Sequence, residues 1–254
     1  MNAITLLTDF GTSDGYVAEV KGVLFSLAPQ ARILDLAHDL APQDIMAARL
    51  AVARYWRRFP PGTVHMVVVD PGVGTERAAL AVTSEGRMLV GPDNGVLSPA
   101  LFSLDAEVVR LDVPADAAPT FHGRDVFAPA AAALAGGTDL AALGEPFTGA
   151  LRLRTPSPRH QSDRSVLGEV LTVDRFGNII TNLRPAGGGG SVELGGLRVE
   201  LARSYGHVPR ASMLALIGSS GFVEIALREG NAARELGAAR GMPVLWRPDP
   251  KPRG

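Results

Sequence analysis

The sequence predicts an α/β protein: an N-terminal α/β domain with a largely parallel sheet, followed by a small C-terminal antiparallel β-barrel domain. Strand and helix patterns alternate over the first half of the 254 residues, which is typical of a sheet covered by helices. Residues 64–69 form an almost unbroken apolar run, as in a strand that is buried on both faces. Beyond residue 165, short strands separated by turns favour a small barrel or sandwich.

The first half contains six predicted strands and three predicted helices. In chain order the strands are residues 3–7, 32–36, 64–69, 79–83, 87–90 and 107–111. The helices run from a cap at Ser13 or Asp14 to Leu27, from near Pro42 to Trp56, and from a cap at Asp125 to Ala135. Pro29 and the glycines at 136–137 are typical stop signals for the first and third helices.

The second half begins after a polar segment without periodicity. Residues 154–165 carry two prolines and are predicted to link domain 1–153 to domain 166–254. The predicted strands of the second domain are 168–174, 179–183, 192–194, 197–201, 214–217, 222–227 and 244–246. The only predicted helix in this half spans residues 231–239, and the glycine run 187–190 is predicted to be a hairpin tip.

The composition excludes several classes of function. A formal net charge of -1 gives no general attraction to nucleic acid or to an anionic membrane. The absence of cysteine excludes disulfides, thiolate nucleophiles and zinc–thiolate sites. No apolar stretch approaches the roughly 18 residues that a membrane span needs, and the N-terminus lacks the basic region of a signal peptide. We therefore expect a cytoplasmic protein.

Two carboxylates follow predicted strands of the first domain. Asp9 lies at the end of the first strand, and Asp70 follows the buried strand, seven residues before Arg77. Ligands of open α/β sheets bind at the carboxyl ends of the strands, so both residues are candidates for a site. Asp9 could accept hydrogen bonds from a ribose diol or from amides of its own turn. The segment 72–77 lacks the third glycine of a dinucleotide-binding loop, which leaves a tight turn with a surface arginine as the alternative.

His122 precedes the third helix, and this position makes it the candidate functional histidine, whereas the other four are expected to be incidental. A carboxylate-only magnesium site built from Asp9, Asp14 and Asp70 is conceivable. The sequence contains neither a His-Glu-x-x-His motif nor a Gly-x-Ser-x-Gly elbow. We therefore expect no metal and no serine-hydrolase triad.

Seven segments, taken together and in order, resemble the S-adenosylmethionine (SAM) hydroxide adenosyltransferases, also called SAM hydrolases, which are relatives of the bacterial fluorinase and chlorinase. The segments are residues 7–11, 16–22, 69–77, 91–95, 120–129, 174–182 and 219–233. Each segment alone is a weak signal, but the ordered set extends over nearly the whole chain.

This resemblance implies that SAM and water give adenosine and methionine without a cofactor. It also implies a homotrimer, with substrate between the N-terminal domain of one subunit and the C-terminal domain of its neighbour. Asp70, Arg77 and His122 correspond to the residues that hold the water in the hydrolases. The halogenating relatives have tyrosine at the Asp70 position and a different residue at the His122 position, so the chain falls on the water-using side.

The resemblance further implies a set of substrate contacts. Asp9 would accept the ribose hydroxyls, and Asp70 would form part of the pocket wall. The C-terminal contacts would be Asp174 and Ser220 to the methionine end, with Asn178, Glu224 and Ala232 lining the amino-acid and adenine portions.

The mechanism implied is in-line attack of water on ribose C5′, with methionine leaving as a neutral thioether. Either Asp70 or His122 would accept the proton of the water, and Arg77 would orient the pair. Three alternatives remain open: a SAM- or adenosine-binding module without turnover, a metal-dependent phosphoesterase, and a SAM-dependent halogenase.

Overall fold

The computed structural model describes residues 3–185 and 189–249, so the predicted hairpin tip at 187–190 lies partly outside the described residues. The chain divides into two compact units, Met1–Arg154 and Thr155–Gly254. In the part of the chain that is described, no helix is long and apolar enough to cross a membrane.

Over residues 3–154, the first unit combines a seven-stranded sheet with four α-helices. The strands are β1 (Ala3–Thr8), β2 (Arg32–Ala37), β3 (Val64–Val68), β4 (Ala79–Ser84), β5 (Arg87–Pro92), β6 (Glu107–Leu111) and β7 (Gly144–Pro146). The helices are α1 (Tyr16–Leu27), α2 (Ile45–Tyr55), α3 (Ser98–Leu101) and α4 (Ala128–Ala135). The predicted α/β class is confirmed.

The sheet order is β2-β1-β3-β5-β4-β6-β7. The pairings of β1 with β2, β1 with β3, and β3 with β5 are parallel, and the other three are antiparallel. Only half of the sheet is therefore parallel. The cause is the tight β4–β5 hairpin, whose Glu85 and Gly86 both have a positive φ (49° and 69°), as two-residue hairpin loops prefer.

The core lies on both faces of this sheet, as the apolar run 64–69 predicts. Val64, Met66 and Val68 pack into one cluster, which also contains buried residues of α1 and α4. Val67 and Val69 pack into the other, with buried residues of α2 and α3. Since β3 is covered on both sides, only the polar residues that follow its carboxyl end reach the edge of the sheet.

Two predicted helix caps are wrong. The N-cap of α1 is Gly15 in the left-handed conformation (φ 82°), with no side-chain cap, so neither Ser13 nor Asp14 caps this helix. Asp125 does not begin α4, because residues Gly123–Phe127 form a π-helical turn ahead of it. The carboxylate of Asp125 instead accepts a hydrogen bond from the Ala118 amide at 2.9 Å.

In its described residues, the second unit is built from antiparallel strands and one short helix, α5 (Ala232–Leu236). The strands are β8 (Arg159–His160), β9 (Val166–Val173), β10 (Ile179–Thr181), β11 (Ser191–Leu194), β12 (Leu197–Glu200), β13 (Met213–Ile217), β14 (Val223–Leu227) and β15 (Pro243–Arg247). Their order is β12-β11-β15-β9-β10-β14-β13, with β8 beside β9. A bridge between Leu201 and Ala215 joins the two edges, so the sheet is a nearly closed barrel, as predicted.

Two details of the second unit differ from the sequence patterns. Arg159–His160, within the segment predicted as a linker, pairs with β9. Helix α5 is shorter than the predicted 231–239, because Asn231 caps its N-terminus and Gly237 (φ 58°) ends it in the left-handed conformation.

Candidate active site

A cavity of about 300 Å³ opens where β1 and β3 end. Asp9 follows β1 and Asp70 comes two residues after β3, and both line the cavity together with His122. Phe10 and Phe121 give it an apolar wall. The volume is at the lower end of the range for small-molecule sites, and a few polar groups in an apolar surround are typical of such sites.

Asp70, Arg77 and His122 are bonded to one another. The Arg77 guanidinium spans both oxygens of the Asp70 carboxylate, with Nε 3.0 Å from Oδ1 and Nη2 in contact with Oδ2. The same Nη2 lies 2.9 Å from Nδ1 of His122. The side chains of Arg77 and Asp70 are 9% and 5% exposed, and His122 is 7% exposed. The structure thus brings together the three residues that the sequence singled out.

The contact with Arg77 sets the tautomer of His122. Because a guanidinium only donates hydrogen bonds, Nδ1 of His122 is the acceptor, and the proton of the neutral ring lies on Nε2. Burial lowers the pKa of His122 below its usual value and the charge of Arg77 lowers it further, while Asp70 and Asp125 act in the opposite direction. The imidazole is therefore neutral at neutral pH.

A tight turn carries Asp70 and Arg77. The Val73 and Thr75 amides donate to the carbonyls of Asp70 and Gly72 at 3.3 and 3.2 Å. Gly74 has φ 77°, and a Cβ at this position would lie 2.6 Å from the Pro119 carbonyl oxygen. Glycine is therefore required here for the turn to approach the segment that leads to His122.

The segment around His122 is held by its own ion pairs. Asp125 accepts from the Ala118 amide, and Arg124 pairs with Asp125 at 2.7 Å and with Glu19 of α1 at 2.7 Å. The π-helical turn Gly123–Phe127 follows directly, a conformation that is frequent at functional sites. These contacts fix the backbone on which His122 is presented.

Asp9 is oriented by a residue that the sequence patterns did not single out. The backbone N–H of Gln43 donates to Oδ2 of Asp9 at 2.7 Å, and Gln43 also lines the cavity. Its φ is 67°, which is uncommon for a residue other than glycine. Nothing in the sequence distinguishes glutamine in this conformation from an ordinary loop residue.

Three of the predicted substrate contacts in the second unit form one polar cluster. Oδ1 of Asp174 accepts from the backbone N–H groups of Phe176 and Asn178, and Oδ2 accepts from Nδ2 of the Asn178 side chain, each at 2.9 Å. Nδ2 of Asn178 also donates to the Tyr205 hydroxyl at 3.2 Å. Burial, followed by the charges of Glu224 and Asp174, raises the pKa of Tyr205, which also hydrogen-bonds Glu224.

Tyr205 was not identified from the sequence, because it lies in a short 3-10 turn outside every segment singled out above. The other two predicted contacts are placed differently. Ser220 lies in the turn between β13 and β14, where the Gly218 amide donates to the Phe222 carbonyl at 2.8 Å. Ala232 is fully buried in the core of the unit, so its methyl group does not reach a ligand and only its backbone is available.

Among residues 3–185 and 189–249, no three histidine, aspartate or glutamate side chains come together as a metal-holding group. The Asp9, Asp14 and Asp70 carboxylates considered for magnesium do not form such a group.

Comparisons with known proteins point to one family over most of the chain. A family model described as the SAM hydroxide adenosyltransferase N-terminal domain matches residues 4–144, and the model of the C-terminal domain matches residues 168–245. A protein of Thermus thermophilus named (R)-S-adenosyl-L-methionine hydrolase is 43% identical over 256 residues, which cover 96% of this chain and 99% of that protein.

A fluorinase of an Actinoplanes species is a more distant relative, 28% identical over 211 residues, which cover 71% of each chain. The crystal structure of an uncharacterized conserved protein from Thermotoga maritima has a TM-score of 0.86 at 32% identity, and covers 97% of this chain and 99% of that one.

Proposed function

The chain belongs to the SAM hydroxide adenosyltransferase family, and we propose that it hydrolyses SAM to adenosine and L-methionine. The family membership confirms the resemblance found in the sequence. The observation that carries the proposal is the bonded set Asp70, Arg77 and His122 in a cavity that also contains Asp9. A cytoplasmic location stays a prediction.

The chemical difficulty of this reaction is the nucleophile, because methionine leaves as a neutral thioether and needs no acid. Bulk water has a pKa of about 15.7, so the site must accept a proton as the C–O bond forms. A buried carboxylate and a neutral imidazole are both candidate acceptors, and the sequence left the choice open.

The tautomer of His122 favours Asp70 as the acceptor. Nδ1 of His122 accepts from Arg77, so Nε2 carries a proton and donates to the water. Asp70 is ion-paired with Arg77 through both oxygens, but each carboxylate oxygen has a further lone pair for the proton of the water. In this mechanism His122 orients the oxygen, Asp70 takes its proton, and Arg77 holds both groups and stabilises a hydroxide-like charge.

Two variants of His122 separate donor from acceptor. In His122→Gln the side-chain amide keeps a donor close to the position of Nε2, whereas His122→Ala removes it. If Nε2 donates, the kcat of the glutamine variant should be at least about tenfold higher than that of the alanine variant. Equal kcat values for the two variants would reassign His122 as the acceptor.

The assay for the function is direct. SAM is incubated with the purified protein, and adenosine and methionine are measured by chromatography, with Asp70→Asn as the control for contaminating activity. Equimolar adenosine and methionine support the proposal. Binding of SAM without products identifies a binding module, 5′-halo-adenosine in the presence of fluoride or chloride identifies a halogenase, and phosphate-ester activity that chelators remove identifies a metal-dependent enzyme.

The configuration at sulfur is part of the proposal. The Thermus relative is named for the (R) epimer of the sulfonium, and this chain acts on the same epimer. In a mixture of the two epimers, the (R) form should disappear with adenosine yield equal to its fraction, while the other epimer remains. Consumption of both epimers at equal rates would contradict this assignment.

The assembly is also proposed, as a homotrimer in which each site takes the cavity of one subunit and the Asp174 cluster of its neighbour. The test mixes Asp70→Asn subunits with Asp174→Ala subunits after denaturation and refolding, and assays at SAM concentrations well below KM, where a site without Asp174 turns over slowly. A random mixture of shared sites should recover about a quarter of wild-type activity, because one site in four combines two intact halves. Sites contained within one subunit would show no more than the average activity of the two variants assayed separately.

A further inference from the structure

Gln43 occupies a backbone position that glycine would fill with less strain. Five described residues other than glycine have a positive φ, and Gln43 (φ 67°) is the one among them that lines the cavity. The Asp44 amide donates to the Ala41 carbonyl at 3.1 Å, which closes a turn with Pro42 second and Gln43 third. Proline followed by glycine is the usual pair at these two positions of a type II turn.

The backbone of Gln43 does not explain why the residue is glutamine. The backbone N–H of Gln43 donates to one oxygen of the Asp9 carboxylate at 2.7 Å, but any residue except proline would supply that N–H. A left-handed conformation at a side chain other than glycine is costly, and residues held in this way are concentrated at functional sites. The side chain of Gln43 is exposed at the cavity, so the explanation must lie in what this side chain contacts.

The hydrogen-bonding needs of a ribose diol supply that explanation. Each hydroxyl donates one hydrogen bond and accepts others, but the carboxylate of Asp9 only accepts. The guanidinium of Arg77 already donates to Asp70 and His122. The side-chain amide of Gln43, a residue that lines the same cavity as Asp9, is a source of N–H donors. A carboxylate and an amide together satisfy both the hydrogen and the lone pairs of a hydroxyl.

We infer that the side-chain amide of Gln43 binds the ribose hydroxyls of the substrate beside Asp9 and thereby determines specificity for the ribose. This inference deepens the proposed function and rests on it for the identity of the nucleoside. The ligand class it requires is a ribonucleoside with free hydroxyls at C2′ and C3′.

Two substitutions separate the side chain from the backbone. Gln43→Gly removes the side-chain amide and relieves the strain of the positive φ. Gln43→Ala also removes the side-chain amide but keeps that backbone strain. Ala211→Gly is the matched control, because Ala211 also has a positive φ (57°) but lies in an exposed turn and is not among the proposed binding residues. The control should leave the kinetics unchanged.

The inference predicts that both Gln43 variants raise KM for SAM, and weaken adenosine binding, by roughly tenfold, as expected for loss of one ligand hydrogen bond. The glycine variant should unfold at the same temperature as wild type or higher. If the glycine variant keeps wild-type KM while the alanine variant does not, only the backbone matters and the inference is overturned. Wild-type KM in both variants overturns it equally.

Deoxynucleosides identify the contact itself. Wild type should bind adenosine more tightly than 2′-deoxyadenosine or 3′-deoxyadenosine in calorimetry, and Gln43→Gly should lose roughly tenfold of the preference over at least one of them. Unchanged preferences in the variant, or no adenosine binding by wild type, would overturn the inference. If wild type binds adenosine in this pattern but releases none from SAM, the proposed function fails while the ribose contact stands.

Discussion

The polar groups of the two units are held in different ways. In the first unit, the turn that carries Asp70 and Arg77 and the separate segment that carries His122 are bonded side chain to side chain in a buried setting. In the second unit, the Asp174 carboxylate accepts from two backbone N–H groups of its own turn and from the Asn178 side chain, beside Tyr205, which is 41% exposed. A buried network depends on every member, whereas a turn tolerates local change. The first group therefore suits the reacting atoms and the second suits binding.

The sharpest test of this difference compares two isosteric substitutions in the proposed enzyme. Asp70→Asn should lower kcat about 10²- to 10⁴-fold, the usual range for a general base, with KM changed little. Asp174→Asn should instead raise KM roughly tenfold and leave kcat near wild type, because it removes a charge that is proposed to hold the methionine end. Steady-state kinetics with SAM measure both.

The same kinetic pattern in both variants would contradict the division between reacting and binding groups. A loss of kcat in Asp174→Asn as large as in Asp70→Asn would place the Asp174 cluster at the reacting atoms. Circular dichroism of both variants serves as the control that each is folded.

A second prediction concerns how the network is supported. Gly74→Ala would place a Cβ 2.6 Å from the Pro119 carbonyl oxygen, and we expect it to destabilise the protein by about 2–4 kcal/mol and to lower kcat. Gly137→Ala is the matched control, since its φ is 91° and nothing lies within 4 Å of the added Cβ. The control should cost only about 1 kcal/mol, from the backbone strain. Denaturant unfolding measures the two free energies, and equal losses would show that the approach of Pro119 is unimportant.

The third prediction is that acid destabilises the protein through a buried histidine of the first unit. His65 of β3 is fully buried, and burial lowers its pKa from 6.5 to about 4. Between these values the unfolded chain binds the proton and the folded chain does not. The stabilisation is therefore complete above about pH 6.5 and is lost as the pH falls toward 4, by about 3 kcal/mol from this group alone.

The measurement is the free energy of unfolding between pH 7 and pH 4, for wild type and for His65→Gln. The glutamine variant should lose less stability over this range than wild type does, whereas His160→Gln, at an exposed position of the second unit, should behave as wild type. An identical pH dependence in wild type and His65→Gln would remove His65 as the cause.

The fold could be predicted from the sequence where a pattern has one structural meaning. The apolar run of β3 can be buried only on both faces, and the turns of the second half forced short antiparallel strands. Sequence patterns failed at helix starts. Asp14 and Asp125 are good capping residues, but Gly15 took the cap of α1, and Asp125 bonds the Ala118 amide across its loop. Competition between local and longer contacts decided both positions.

The candidate site also contains residues that the sequence identifies and residues that it does not. Asp9, Asp70 and His122 stand out because they follow strands or precede a helix, and their shared cavity follows from the sheet. Gln43 and Tyr205 could not be found, because a left-handed glutamine and a tyrosine in a 3-10 turn have no sequence signature. Their importance comes from the chain packed beside them.

The smallest effect is expected for Tyr205→Phe, which tests whether the second polar cluster is a connected network. The hydroxyl of Tyr205 accepts from the Asn178 amide at 3.2 Å and hydrogen-bonds Glu224, and the raised pKa keeps it protonated, so it donates to that carboxylate. Removing it should cost about 1 kcal/mol in substrate binding, or a roughly fivefold rise in KM, with kcat unchanged. Because Asn178 also bonds Asp174 directly, the cluster should survive. A drop in kcat with KM unchanged would contradict the division between reacting and binding groups, because it would tie the barrel cluster to the chemistry.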